Sequence, residues 1–186
     1  DEIPDFSEKL VKVKNKDLGM STFSSHGPSS DLSIKPEITA IGGKVYSLAN
    51  DNNYAVMSGT SMAAPYISGI TLNYLNFLDS KGIEKDPNYI KNAMMNTAEV
   101  KMSANGYPYS ITQQGSGMVD FQAMINQELM VTYKNKAKVE LGQIDGNIDF
   151  TLDIENLTSD DINAKVSFSD VLTIDNEKAE TKVLDG

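Results

Sequence analysis

Ser58-Gly59-Thr60-Ser61-Met62-Ala63-Ala64-Pro65 sets a serine among small residues, directly before a helical pattern that opens at Tyr66-Ile67-Ser68-Gly69-Ile70. A serine there stands on a sharp turn at a helix N-terminus. Its backbone N–H can point at charge developing on a reacting carbonyl oxygen, and the helix dipole favours that charge. The chemistry suited to such a place is nucleophilic acyl transfer, with Ser61 as the nucleophile. Gly59 lets the chain turn and another backbone approach closely. Thr60 is the expected N-cap. Pro65 removes the hydrogen bond its N–H would have made to the Ser61 carbonyl, a loss that is tolerable so near a helix start. Beyond it, Ile67, Ile70, Tyr74, Leu75 and Leu78 fall at helical spacing, which predicts a largely buried helix to about Asp79.

The stretch resembles the nucleophile motif G-T-S-M-A-x-P of the subtilisin-like serine peptidases, the subtilases, and its flanks agree in order. Phe23-Ser24-Ser25-His26-Gly27-Pro28 is similar to that family's F-S-S-x-G-P segment, and Lys35-Pro36-Glu37-Ile38-Thr39-Ala40 to its K-P-D-I-x-A strand. The family continues A-P-G where this chain reads Ala40-Ile41-Gly42, and it often carries His where this chain has Tyr66. Asp86-Pro87 reads as N-cap and first residue of a second helix, with Ile90, Ala93, Met94 and Thr97 on one face. Asn96-Thr97-Ala98 matches the helix end M-N-T-A, and Gln114-Gly115-Ser116-Gly117-Met118-Val119-Asp120 the closing loop Q-G-x-G-x-V-D. The likeness covers roughly residues 18–126 and is nearest the Gram-positive cell-envelope peptidases of the lactocepin and C5a-peptidase group.

The resemblance implies a serine endopeptidase acting on protein or peptide substrates through an acyl-enzyme on Ser61. Met57, Ser58, Gly59 and Thr60 are then the expected substrate contacts. A serine nucleophile needs a base and the base an orienting acid. The single histidine, His26, occupies the variable position of F-S-S-x-G-P, whereas subtilases carry Asp and His well upstream in the order Asp, His, Ser. The catalytic Asp and His and the oxyanion Asn are therefore expected from a preceding segment or a second chain, the remaining part of the same enzyme, and these residues alone are expected to be inactive. A different class of reading is a non-catalytic cell-surface binding or adhesion module built on a degenerate peptidase.

The expected fold class is α/β: the C-terminal part of a subtilisin-like parallel-sheet catalytic domain, then an incomplete antiparallel β-sandwich. Residues 1–17 are read as the end of an upstream segment of protease-associated type, 18–130 as catalytic domain, and 131–186 as the start of a fibronectin-III-like sandwich. In that second part Ile148, Phe150, Leu152 and Ile154 alternate with Asp149, Thr151, Asp153 and Glu155. Ile162, Ala164, Val166 and Phe168 alternate after the turn residues 156–161, and Val139 and Leu141 precede an Asp145-Gly146-Asn147 turn. Asp149, Asp153 and Glu155 then share a solvent face.

The 186 residues carry a net charge of −10, which argues against nucleic acid and against an anionic membrane surface as partners. No cysteine is present, so disulfides, a thiol nucleophile and zinc–thiolate sites are excluded. No apolar run is long enough to span a membrane. No cofactor is expected. Asp160, Asp161 and Asp170 lack EF-hand spacing, so a structural calcium is left unassigned and no metal ligands are named. An extracellular or cell-wall-attached place in a Gram-positive bacterium follows from the resemblance.

Overall fold

The computed structural model describes residues 19–84, 86–167, 171–175 and 180–184. Residues 1–17, Asp170 and Phe168 lie outside them, and with them the upstream segment expected at the start of the chain. The described residues form four helices and six strands, in the order β1 Val45–Ala49, β2 Asn53–Met57, α1 Thr60–Lys81, α2 Pro87–Asn96, α3 Ile111–Gln114, α4 Phe121–Ile125, β3 Leu129–Thr132, β4 Asp153–Asn156, β5 Val171–Asp175 and β6 Glu180–Leu184.

α1 runs through Pro65 and ends at Gly82, whose left-handed conformation turns its N–H back to the carbonyls of Leu78 and Asp79. Only one face is covered. Tyr74 and Leu78 are buried, Ile67, Ile70 and Leu75 are half-buried against them, and Tyr66 and Leu72 stand in solvent. The largely buried helix expected from the spacing is thus half-buried, because the described elements pack on its inner side alone. α2 starts as its sequence predicts: the Asp86 carboxylate accepts the Asn88 N–H, and Pro87 takes the first helical position. Ile90, Ala93 and Met94 turn into the core, and Asp120 caps α4 by accepting the Ala123 N–H. The core is completed by Val119, Met124 and Met130, so that methionines supply much of it, with Met95 also buried beside them.

α2 is joined to the 131–137 segment by three asparagines at successive turns, of which Asn88 donates to the Asn135 carbonyl. Buried Asn92 donates from Nδ2 to the Asn135 carbonyl and accepts the Ala137 N–H at 2.9 Å. Asn96 donates to the Val131 carbonyl and accepts the Val131 N–H at 2.8 Å. The Asn92 and Asn96 side chains each thereby pair a strand-like backbone as a neighbouring strand would. Met130 in the core and Leu157 packed on it carry one hydrophobic cluster past residue 130.

The sheets are smaller than the alternation suggests. Among the described residues there are three antiparallel pairs, β1 with β2, β3 with β4 and β5 with β6. The expected 35–40 strand is reduced to one parallel bridge, Thr39 with Met118. Within 148–154 only β4 forms, and Ile148, Phe150, Leu152 and Ile154 all remain exposed. Residues 162–167 lie in no strand, and neither do Val139 and Leu141. Alternation produces a sheet only where a second layer covers its apolar face, and none of the described elements does so here. Asp149, Asp153 and Glu155 are exposed, as their positions predict.

Candidate active site

The hairpin β1–β2 delivers the chain to the serine. Val45 pairs with Met57, and the strands turn through Asp51 and Asn52, both at positive φ, a conformation Asp and Asn tolerate better than most residues. This hairpin is absent from the sequence reading, although Asn50-Asp51-Asn52-Asn53 between two apolar-rich runs is its signal. After Met57 the Ser58 Oγ accepts the Lys44 N–H at 2.8 Å. The Gly59 N–H donates to the Gly42 carbonyl at 2.8 Å, and the Gly59 carbonyl accepts the Met62 N–H at 3.0 Å. Gly59, not Thr60, is therefore the N-cap. The helix begins one residue earlier than expected, so Thr60 is its first residue, and no side-chain hydrogen bond caps it. A glycine at 42 is required by this close approach, since a Cβ there would stand 2.7 Å from the Gly59 carbonyl oxygen.

Ser61 is thus the second residue of a 22-residue helix and is exposed. Its N–H belongs to the first turn, whose donors the helix itself leaves unsatisfied, and it sits at the positive end of the helix dipole. Pro65 leaves the Ser61 carbonyl without its usual intrahelical donor. Beside the turn opens a cavity of about 380 Å³. Ser58, Gly59 and Thr60 line it together with Gly42 and Lys44, so three of the four expected substrate contacts meet at one opening. Met57 ends β2 half in solvent and is not among the lining residues. Met20, Thr39, Lys101 and Met118 also reach the cavity; Thr39 and Met118 stand within the motif segments 35–40 and 114–120, whereas nothing in its local sequence marks Lys101. Lys101 is held there by the Glu99 carboxylate at 2.6 Å.

His26 lies exposed in the 19–34 loop, outside the cavity lining, next to Gly27, whose N–H donates to the Thr112 carbonyl. Neither His26 nor Ser61 is among the residues that line the cavity; of the serine's turn, Ser58, Gly59 and Thr60 are. Among the described residues no three His, Cys, Asp or Glu side chains gather as a metal site, and no helix is long and apolar enough to cross a membrane.

A charge cluster lies outside the cavity lining. Glu37 receives Lys138 at 2.9 Å, Lys35 at 2.9 Å and Lys91 at 3.2 Å. Burial pushes the Glu37 carboxyl up, but the three ammonium groups outweigh it and hold its pKa at about 2. Lys138 also meets Glu140 at 2.7 Å, and its hydrogen bond lowers the Glu140 pKa more than desolvation raises it. For Lys138 itself burial works downward, and the two carboxylates reverse it, so its pKa is raised.

Comparison with known proteins agrees with the motif reading. The family model described as "Subtilase family" matches residues 11–124. A PI-type proteinase of Lactococcus lactis subsp. cremoris is 35% identical over 168 residues, covering 83% of this chain and 8% of the relative. A PII-type proteinase of Lacticaseibacillus paracasei is 39% identical over 131 residues, 63% of this chain and 7% of the relative. A C5a peptidase of Streptococcus pyogenes serotype M18 is 31% identical over 148 residues, 74% of this chain and 12% of the relative. The chain thus spans about a tenth of the length of these relatives.

Proposed function

The chain belongs to the subtilase family, and on that premise we propose that it carries the nucleophile segment of a serine endopeptidase. Ser61 Oγ attacks the scissile carbonyl, the Ser61 N–H helps to hold the oxyanion, and water then hydrolyses the acyl-enzyme. Ser58, Gly59 and Thr60 hold the substrate backbone at the cavity, and Met57, outside the lining, contacts substrate where the chain enters from β2. The base, its orienting Asp and the oxyanion Asn come from a preceding segment of the same polypeptide or from a second chain. His26, exposed in its loop, is not proposed as the base. The substrates are proteins or peptides. The relatives named proteinase and peptidase from lactic acid bacteria and a streptococcus support this reading, and with it an extracellular or cell-wall location. The residues past 131 are proposed to begin a fibronectin-III-like domain.

The observation that carries the proposal is Ser61 exposed at the dipole-positive tip of α1, beside a cavity lined by its own turn. Treatment with a fluorophosphonate probe followed by intact-mass analysis of every polypeptide present tests it. Labelling of Ser61 in a preparation that also contains the Asp- and His-bearing segment is the expected result. In that complete enzyme Ser61→Ala is expected to lower kcat by about a million-fold, the loss that follows removal of the nucleophile from subtilisin itself. Retained peptidase activity in Ser61→Ala would overturn the role given to Ser61, whereas an unlabelled Ser61 and no activity in the complete protein would favour the adhesion module.

A further inference from the structure

Lys138 lies 77 positions beyond the serine and is nearly buried, its side chain 7% exposed. Its ammonium group is shared between two carboxylates on different segments, Glu37 and Glu140. Glu140 also accepts the Ile34 N–H at 2.8 Å, so the 136–140 segment grips the 34–37 segment at both ends. From Glu37 the chain runs straight into the cavity wall. The Glu37 carbonyl accepts the Ser116 N–H, Thr39 exchanges backbone hydrogen bonds with Gly117 and Val119, and Gly42 accepts the Gly59 N–H on the serine turn. A covalent and hydrogen-bonded path of short links thus joins Lys138 to the N-cap of α1.

We propose that Lys138 is a positioning residue for the Ser61 turn: by clamping Glu37 and Glu140 together it fixes residues 34–42, and through the Gly42–Gly59 hydrogen bond it fixes where the nucleophile stands. The charged groups that face it are Glu37 and Glu140. Lys35 and Lys91 compete for Glu37, and Lys136 reaches Glu140 at 3.9 Å. None of them replaces Lys138, because it alone bridges both carboxylates among the described residues. The catalytic weight of this role rests on the reading of Ser61 as nucleophile; the mechanical link does not.

Amide hydrogen exchange on the 186-residue chain separates the two. Lys138→Met keeps the stem and removes the charge, Lys138→Arg keeps the charge, and Lys134→Met serves as a control on an exposed lysine outside the clamp. The expected result is tenfold or faster exchange of the Gly59 and Thr39 amides in Lys138→Met, less than twofold change at Leu78 and Ala93, recovery in Lys138→Arg, and no change in Lys134→Met. Unchanged exchange at Gly59, or equal acceleration at all four amides, would overturn the proposal. Should Lys138→Met not fold, Glu140→Ala removes the oxygen that takes both the Lys138 ammonium and the Ile34 N–H, and the same two outcomes decide. In the complete enzyme Lys138→Met is expected to lower kcat with little change in KM. If exchange responds and kcat does not, the mechanical link stands and the catalytic part of the proposal falls, while the nucleophile reading is decided separately by labelling and Ser61→Ala.

Discussion

Gly115 and Gly117 owe their identity to two backbones that pass too close for any side chain. A Cβ on Gly115 would strike the Pro36 and Glu37 carbonyls, and one on Gly117 would strike the Glu99 carbonyl, while both residues sit at positive φ. The spacing of the closing loop is therefore a packing requirement, and it is what lets Thr39 donate to the Gly117 carbonyl and accept the Val119 N–H beside the cavity. Gly117→Ala is expected to cost about 2 kcal/mol or more from strained φ and displaced backbone, seen as a lowered midpoint in urea unfolding. Gln114 shows the same economy of position: buried, it accepts the Lys101 N–H and donates to the Tyr109 carbonyl at 2.7 Å. At this scale the sequence was informative wherever a residue's chemistry is local. Ser61, Gly59, Asp86 and Pro87 announce themselves, whereas Lys101 reaches the cavity from a distant part of the chain and carries no local mark.

α2 shows how an element can stand in for a strand. Asn92 and Asn96 offer donor and acceptor one turn apart, and the 131–137 backbone accepts the offer. Asn92→Ala leaves the Ala137 N–H and the Asn135 carbonyl to find other partners at a buried contact. It is expected to destabilise the fold by about 1–3 kcal/mol, measurable by thermal unfolding, with Asn88 still bonded to Asn135 and softening the loss. Both helices were legible from period and caps, α1 to within two residues of its end. The strands were not, because a period of two records which residues alternate and says nothing of what covers them. Ile154 found a partner in Val131 and entered β4, whereas Phe150 met only the edge of the Tyr133 ring and stayed in solvent. The β1–β2 hairpin was missed for the opposite reason: Tyr46, Leu48, Tyr54 and Val56 put apolar groups on an exposed face, with the two tyrosine rings stacked at 5.3 Å, so burial gave no pattern to read.

For the whole molecule, stability against acid follows from the clamp. The folded pKa of Glu37, about 2, lies below its ordinary value of 4.5, so the folded state binds fewer protons than the unfolded one between these values. The stabilisation from Glu37 is complete above about pH 4.5 and is lost as pH falls through 2; Glu140, also depressed, acts in the same direction. Melting temperature is therefore expected to drop as pH falls below 4.5, and Lys138→Met is expected to flatten that drop. The methionine core has a different consequence. Met94, Met95, Met124 and Met130 are unbranched and adaptable, and exchange of such a residue for Leu or Ile usually costs less than about 1.5 kcal/mol. The polar closing loop around Gly115 and Gly117 admits no such exchange. Evolutionary drift is thus expected to divide the interior itself, with the methionine positions free to vary and the buried glycines of the closing loop held still.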